Sequence, residues 1–183
     1  MNCRGYNGIL EGALNLKQFI RDIPDFPKPG ILFKDITPLL QAPEAFTQVI
    51  DRLAQHYQSR SIDAVLGIEA RGFIFGAALA YRLAKPLVLV RKPGKLPAET
   101  KSVTYALEYG SDTLEMHRDG VAPGHNVVIV DDVLATGGTV SAACRLVEES
   151  GGKVASIALV VELRFLGGRD KLQGYDIHAL VEY

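Results

Sequence analysis

Between Ala64 and Val161 the apolar residues fall into short unbroken runs, Ala64 to Ile68, Pro86 to Val90, Val127 to Val130 and Ala155 to Val161. Runs of that length, rich in Val, Ile and Leu, predict strands buried on both faces, as in a parallel sheet. The stretches between them, Phe73 to Leu83 and Thr139 to Ser150, are long enough for crossover helices, and the second stops at Gly151-Gly152. This alternation predicts an α/β fold: a doubly wound, mostly parallel central sheet with helices on both faces. One segment breaks the rhythm. Val103, Tyr105, Leu107 and Tyr109 alternate with polar residues, Gly110-Ser111 signals a turn, and Leu114 and Met116 alternate again, so an antiparallel hairpin is predicted there.

Upstream, Leu16, Phe19, Ile20 and Ile23 keep helical spacing as far as Pro24, and Phe46, Val49, Ile50, Leu53, Ala54 and Tyr57 repeat it after Pro43. Two helices are predicted. Between them, Phe26 to Pro38 contains Pro27, Pro29, Gly30 and Pro38 and reads as irregular, yet it carries Ile31, Leu32, Phe33 and Ile36. Apolar residues on such a loop need something to cover, and taken alone the segment reads as a loop over its own core. No repeat, low-complexity tract or linker divides the chain, so a single domain over residues 1–183 is expected.

Composition narrows the picture modestly. A chain of 183 residues with 48% apolar content can bury one sizeable core, and a net charge of -1 gives no overall attraction to nucleic acid or to an anionic membrane. Neither partner is expected. Two cysteines, Cys3 and Cys144, make no disulfide framework and suit a reducing compartment. Residues 1–11 lack an apolar signal core, and the most apolar stretch, Gly72 to Val90, is interrupted by Arg82, Lys85 and Pro86, so a cytoplasmic location is expected.

The densest chemistry lies in Val127 to Thr139: an apolar strand, then Asp131-Asp132, then Val133-Leu134-Ala135-Thr136-Gly137-Gly138-Thr139 opening a helix. The glycines allow backbone amides to approach a ligand, Thr136 and Thr139 add hydroxyl donors, and the helix start offers unpaired N–H groups, so Ala135 to Thr139 reads as a phosphate cradle. Charge-assisted hydrogen bonds contribute roughly 1.5–3 kcal/mol each, against about 0.3–1 kcal/mol for the helix dipole. Directed donors therefore dominate. The two carboxylates would repel phosphate but accept well from vicinal hydroxyls, which points to a phosphorylated ribose, and they can stabilise positive charge developing on a sugar carbon. Neither the lysine-bearing P-loop order nor the dinucleotide-binding order of glycines is present.

These thirteen residues resemble the phosphoribosyl pyrophosphate signature of the type I phosphoribosyltransferases. Flanking segments resemble the adenine-using members of that family: Phe26 to Pro38, Gly67 to Phe73, Arg91 to Pro97, and Leu107-Glu108-Tyr109-Gly110. Val133 and Pro93 depart from the residues more common at their positions. The resemblance implies transfer of the phosphoribosyl group from 5-phosphoribosyl 1-pyrophosphate to adenine, giving AMP and pyrophosphate, a reaction of purine salvage. It implies Mg2+ held mainly by substrate and water, with no direct protein ligand. It also implies a homodimer, in which part of the basic cluster reaches the neighbouring subunit's site.

The resemblance also assigns roles. Catalysis falls to Glu108, as general acid or base toward the purine, with Asp131 and Asp132 on the ribose; Ala135, Thr136, Gly137, Gly138 and Thr139 hold the 5-phosphate. Glu69, Ala70 and Arg71, with a cis peptide between the first two, and Arg91, Lys92 and Lys95 serve the pyrophosphate. Ile31, Leu32, Phe33, Lys34 and Val133 take adenine, within a base-binding region at about residues 24–38. Tyr105 and Tyr109 belong to a flexible hood at about residues 95–117 that closes over substrate. Read without the resemblance, Glu69 to Gly72 is an ordinary loop after a strand, Arg91 to Lys101 a solvated basic loop, and Glu108 an exposed strand residue. Two other functions share the signature: transfer to a 6-oxopurine, and a non-catalytic regulator that senses phosphoribosyl pyrophosphate while binding nucleic acid, for which the basic face is lacking.

Overall fold

The computed structural model describes residues 14–106 and 110–183. The chain divides into two compact units, Met1–Gln48 and Val49–Tyr183.

In the first unit Asn15 caps a 3-10 turn, Leu16–Phe19, by accepting from the Lys17 amide. The chain then enters strand β1 (Arg21–Pro24), which pairs antiparallel with β2 (Leu32–Asp35). The helix expected over Leu16 to Ile23 therefore stops after one turn, and the loop expected over Phe26 to Pro38 is partly strand. Pairing across a turn overrides the helical spacing: Asp25, at φ 57°, accepts from the Gly30 amide, and the prolines at 27 and 29 keep the residues between the strands out of both ladders. Ion pairs Arg21–Asp35 and Lys34–Asp22, both at 2.6 Å, lock the register. Helix α1 (Thr37–Gln41) follows, and the boundary between the units falls inside α2 (Pro43–Tyr57).

The second unit is built on a seven-stranded sheet. Its elements are β3 (Ala64–Ile68), α3 (Gly72–Leu83), β4 (Leu87–Arg91), β5 (Thr100–Ala106), β6 (Ser111–His117), β7 (Asn126–Leu134), α4 (Gly138–Glu149), β8 (Lys153–Glu162) and β9 (Ile177–Glu182). The strand order is β5-β6-β4-β3-β7-β8-β9, with β4, β3, β7, β8 and β9 parallel and the β5–β6 hairpin antiparallel. The mostly parallel sheet and the hairpin agree with the sequence pattern. Apolar β3 is buried along its whole length, and its side chains with those of β7, β8 and α4 form the core, including Leu66, Ile68, Ile129, Leu146 and Leu159.

Three expectations change. Strand β7 continues through Asp131 and Asp132 to Leu134, because β8 runs alongside it as far as Glu162 and keeps its backbone paired. Strand β4 is not closed on both faces: α3 sits chiefly over β3, leaving Leu87 and Leu89 each 37% exposed while Val88 and Val90 are buried. Strand β9 is not predicted by the sequence pattern, because Ile177 to Glu182 has neither a long apolar run nor a clean alternation; it is an edge strand.

Candidate active site

Strands β3 and β7 lie side by side, but the crossover from β3 leads to β4 on one side and that from β7 leads to β8 on the other. In open α/β sheets a crevice forms at such a reversal, beyond the carboxyl ends of the strands, and ligands bind there. The turns after β3 and β7 carry the residues singled out above. Their approach depends on Gly72 at the start of α3: a Cβ there would stand 2.7 Å from the Val130 carbonyl oxygen and 3.0 Å from Asp131 Oδ1.

Beyond β7 a hollow of about 80 Å³ is lined by Asp131, Val133 and the loop from Leu134 to Val140. A single water needs about 10–15 Å³, so the hollow has room for a group of several oxygens, such as a phosphate. Gly137 adopts φ 79°, a conformation L side chains rarely take, and this turns the chain into the first residues of α4 so that their unpaired amides, with the Thr139 side chain, border the hollow. The phosphate-cradle residues are thus brought together, with Val133 beside them.

Successive strand residues face opposite sides, so Asp131 shares the hollow with Val133 while Asp132 turns away from it. Asp132 is 3% exposed and makes an ion pair with Arg71, Nε to Oδ2 2.8 Å, without the alignment of a hydrogen bond. Asp131 accepts from the Asp132 amide at 2.9 Å. Loss of solvation, and then the charge of Asp132, pushes the Asp131 carboxyl well above the ordinary range. Burial also raises Asp132, against the pull of Arg71.

The turn after β3 is organised differently. The peptide joining Glu69 to Ala70 is cis. Glu69 accepts from Arg91 Nη2 at 2.8 Å and from the Lys92 amide at 2.9 Å, and these bonds lower its pKa. Arg91 also donates to the Lys95 carbonyl at 3.1 Å, and its guanidinium lies 5.9 Å from the centre of the Phe73 ring. The basic cluster is therefore divided among partners: Arg91 on Glu69, Lys92 on Asp112, and Lys101 on the Glu149 carbonyl at the end of α4, while Lys95 is exposed. Burial disfavours the Lys92 charge, but Asp112 more than offsets this and leaves the lysine pKa raised.

Sequence reasoning missed Asp112, which the turn signal beside it disguised as an ordinary polar residue. Its carboxylate also accepts from the Tyr105 hydroxyl at 3.2 Å, and Tyr105 contacts Thr139 Oγ1 at the same distance. A tyrosine has one hydroxyl proton. With that proton on Asp112, Thr139 is the donor to Tyr105. Glu108 and Tyr109, the other expected hood residues, lie outside the described residues, as does Cys3. Ile31, Leu32, Phe33 and Lys34 belong to the first unit, where Phe26 and Phe33 meet edge to face at 5.1 Å and β2 pairs with no strand but β1 among the described residues.

A model of the phosphoribosyl transferase domain matches residues 35–177. The adenine phosphoribosyltransferase of Roseiflexus castenholzii is 60% identical over 171 residues, covering 93% of this chain and 99% of that one, and the enzyme of Solibacter usitatus is 59% identical over 169 residues, covering 92% and 98%. The chain belongs to the adenine phosphoribosyltransferase family. Solved structures of this family agree in fold. The adenine phosphoribosyltransferase of Thermoanaerobacter pseudethanolicus superposes with TM-score 0.89 at 58% identity, covering 92% of this chain and 98% of that one. That of Saccharomyces cerevisiae, complexed with an imino-altritol bisphosphate and adenine, superposes with TM-score 0.85 at 41% identity, covering 90% and 96%.

Proposed function

We propose that this adenine phosphoribosyltransferase family member transfers the phosphoribosyl group of 5-phosphoribosyl 1-pyrophosphate to adenine, giving AMP and pyrophosphate, as in purine salvage. The observation that carries this reading is the meeting, on one strand end, of a phosphate-sized hollow with the adjacent carboxyl groups of Asp131, which lines it, and Asp132. The yeast relative was solved in complex with an imino-altritol bisphosphate and adenine, which supports the same pair of ligand classes here.

The loop from Ala135 to Thr139 holds the 5-phosphate, and Asp131 and Asp132 take the ribose hydroxyls. N9 of adenine bonds to C1 of the ribose as the C–O bond to pyrophosphate breaks; the electron pair leaves with pyrophosphate, and Glu108 accepts the N9 proton. An uncompensated carboxyl at this point favours the cation-like sugar of the transition state over the empty site. Arg71, Lys92 and Lys95 serve the departing pyrophosphate. Glu69 is itself an anion, so it acts by holding Arg91 and the Lys92 amide in place. In this reading the base-binding region at about residues 24–38 takes adenine through Ile31, Leu32, Phe33 and Lys34, as the resemblance implies.

Among the described residues no group of three or more His, Cys, Asp or Glu side chains is arranged to hold a metal. Mg2+ commonly keeps several waters and adds substrate phosphates, so in this reading the ion arrives with its substrate and is held mainly by substrate oxygens and water, with no direct protein ligand. When bound, it would neutralise charge on the pyrophosphate. A second copy of the chain completes the assembly in this reading, supported by exposed Ile74 and Tyr81 one face apart by seven residues on α3, and by Leu87 and Leu89 on the open face of β4. Among the described residues no helix is long and apolar enough to cross a membrane. A cytoplasmic setting is proposed because a polyanionic sugar does not cross a bilayer unaided.

A spectroscopic assay with each purine base, phosphoribosyl pyrophosphate and Mg2+ tests the reading. Adenine should react best, and Glu108→Gln should lower turnover. Preference for a 6-oxopurine would replace the substrate, and binding without turnover of any base would leave only a sensor.

A further inference from the structure

Behind the phosphate loop, on the side away from the hollow, the turn that joins β8 to β9 comes up against it. Two glycines meet there. A Cβ on Gly137 would collide with the Gly168 carbonyl oxygen and stand 3.1 Å from its carbon, and a Cβ on Gly168 would collide with the Ala135 carbonyl oxygen and stand 3.0 Å from Leu134 Cγ. The two backbones therefore touch with no side chain between them. None of the residues from 162 to 172 lines the hollow, so whatever they do for a ligand they do through the loop.

The turn is fastened on both sides of Gly168. The Leu163 amide donates to the Leu134 carbonyl at 2.9 Å, and Leu172 is buried in the core. Between these anchors, Arg169 reaches back to the end of β8 and grips Glu162 through two parallel bonds, Nε to Oε1 and Nη2 to Oε2, both 2.6 Å. Glu162 is 2% exposed, so its charge depends on this fork for compensation. A bidentate pair between half-exposed Arg169 and buried Glu162 on so short a turn restricts where the Gly168 peptide can lie.

We infer that Glu162, Arg169 and Gly168 form a back wall that sets the position of the phosphate-loop amides, with Arg169 and Glu162 as positioning residues for the phosphorylated sugar. The physical reason is directional. Amide donors lose strength steeply when misaligned, and a displacement of about 1 Å can cost on the order of a hundredfold in a well-positioned site. Pressure from Gly168 on the Ala135 and Gly137 peptides holds the loop against such drift. The inference rests on the proposed reaction only for its kinetic readout; the binding readout stands without it.

The test uses the whole chain and three variants: Gly168→Ala, Arg169→Met and Arg169→Lys. Binding of ribose 5-phosphate is measured by calorimetry, and KM for phosphoribosyl pyrophosphate and for adenine are measured separately. Gly168→Ala should weaken ribose 5-phosphate binding and raise the phosphoribosyl pyrophosphate KM by about tenfold or more, while the adenine KM moves less than about twofold. Arg169→Met should act in the same direction, and Arg169→Lys should lie between it and the parent, because lysine keeps the charge but loses the fork. If Gly168→Ala does not fold, the arginine pair decides by the same split. Variants that melt earlier yet bind ribose 5-phosphate like the parent, or that shift both KM values equally, overturn the inference. Failure of the parent to use adenine at all, with the binding differences intact, overturns the proposed reaction and leaves the back wall standing.

Discussion

Glu69, just past the end of β3, and Asp131, in the last residues of β7, are carboxyl groups at the ends of neighbouring strands, and their surroundings differ in kind. Glu69 accepts from Arg91 and from the Lys92 amide, and its pKa falls below the ordinary value. Asp131 has the Asp132 amide and a second carboxylate beside it, and its pKa is raised well above the ordinary value. The first charge is satisfied within the chain and organises a scaffold. The second is left expensive, which in a crevice at a strand reversal marks the place where a ligand supplies what is missing.

The sharpest way to break this contrast is Asp131→Asn. Loss of a charge-assisted bond of roughly 1.5–3 kcal/mol corresponds to about a ten- to hundredfold fall in kcat/KM, while the melting temperature should rise, since the raised pKa marks ionised Asp131 as a burden on the folded state. A drop in both would show that the charge is structural. Glu69→Gln should do the opposite to stability, lowering the melting temperature by about 3–6 °C, because roughly 1.5 kcal/mol shifts a chain of this size by that amount. An unchanged melting curve would remove Glu69 from the scaffold.

The signs can be checked by pH. With its folded-state pKa raised, Asp131 contributes stability that is fully present below its unfolded value near 3.8 and is lost as pH rises through the folded value. Glu69, lowered from 4.5, contributes stability present above that value and lost as pH falls through its folded value. The melting-temperature gain of Asp131→Asn over the parent should therefore be absent near pH 4 and grow toward neutrality, and the loss in Glu69→Gln should shrink in acid. Parallel curves would contradict the assignment. The smallest effect is expected from Tyr105→Phe, which frees the Thr139 proton for a phosphate: the phosphoribosyl pyrophosphate KM should fall by about twofold, the lower end for one neutral hydrogen bond. A rise would mean that the tyrosine supports the loop.

Much of this was legible in the chain because it is local. The buried strands, the crossover helices and the loop from Ala135 to Thr139 are each encoded by consecutive residues whose spacing or backbone freedom has a single reading. Asp131 and Asp132 stood out for the same reason. What escaped was long-range or weakly patterned: the pairing of Arg21–Pro24 with Leu32–Asp35 looked like a helix followed by a loop, and β9 carries too little apolar character to announce itself. Asp112, Gly168 and the Arg169–Glu162 pair look like turn and surface residues until the fold brings Lys92, Gly137 and the end of β8 against them. A charge gains meaning from its neighbours in space, which periodicity does not list.

The reversal of strand order between β3 and β7 has a mechanical corollary under the proposed roles. The two halves of the donor are clasped by turns on opposite sides of one seam, and the scissile bond lies across it. When that bond parts, each fragment is already in the keeping of a different strand pair, so neither product has to be handed over before the other departs.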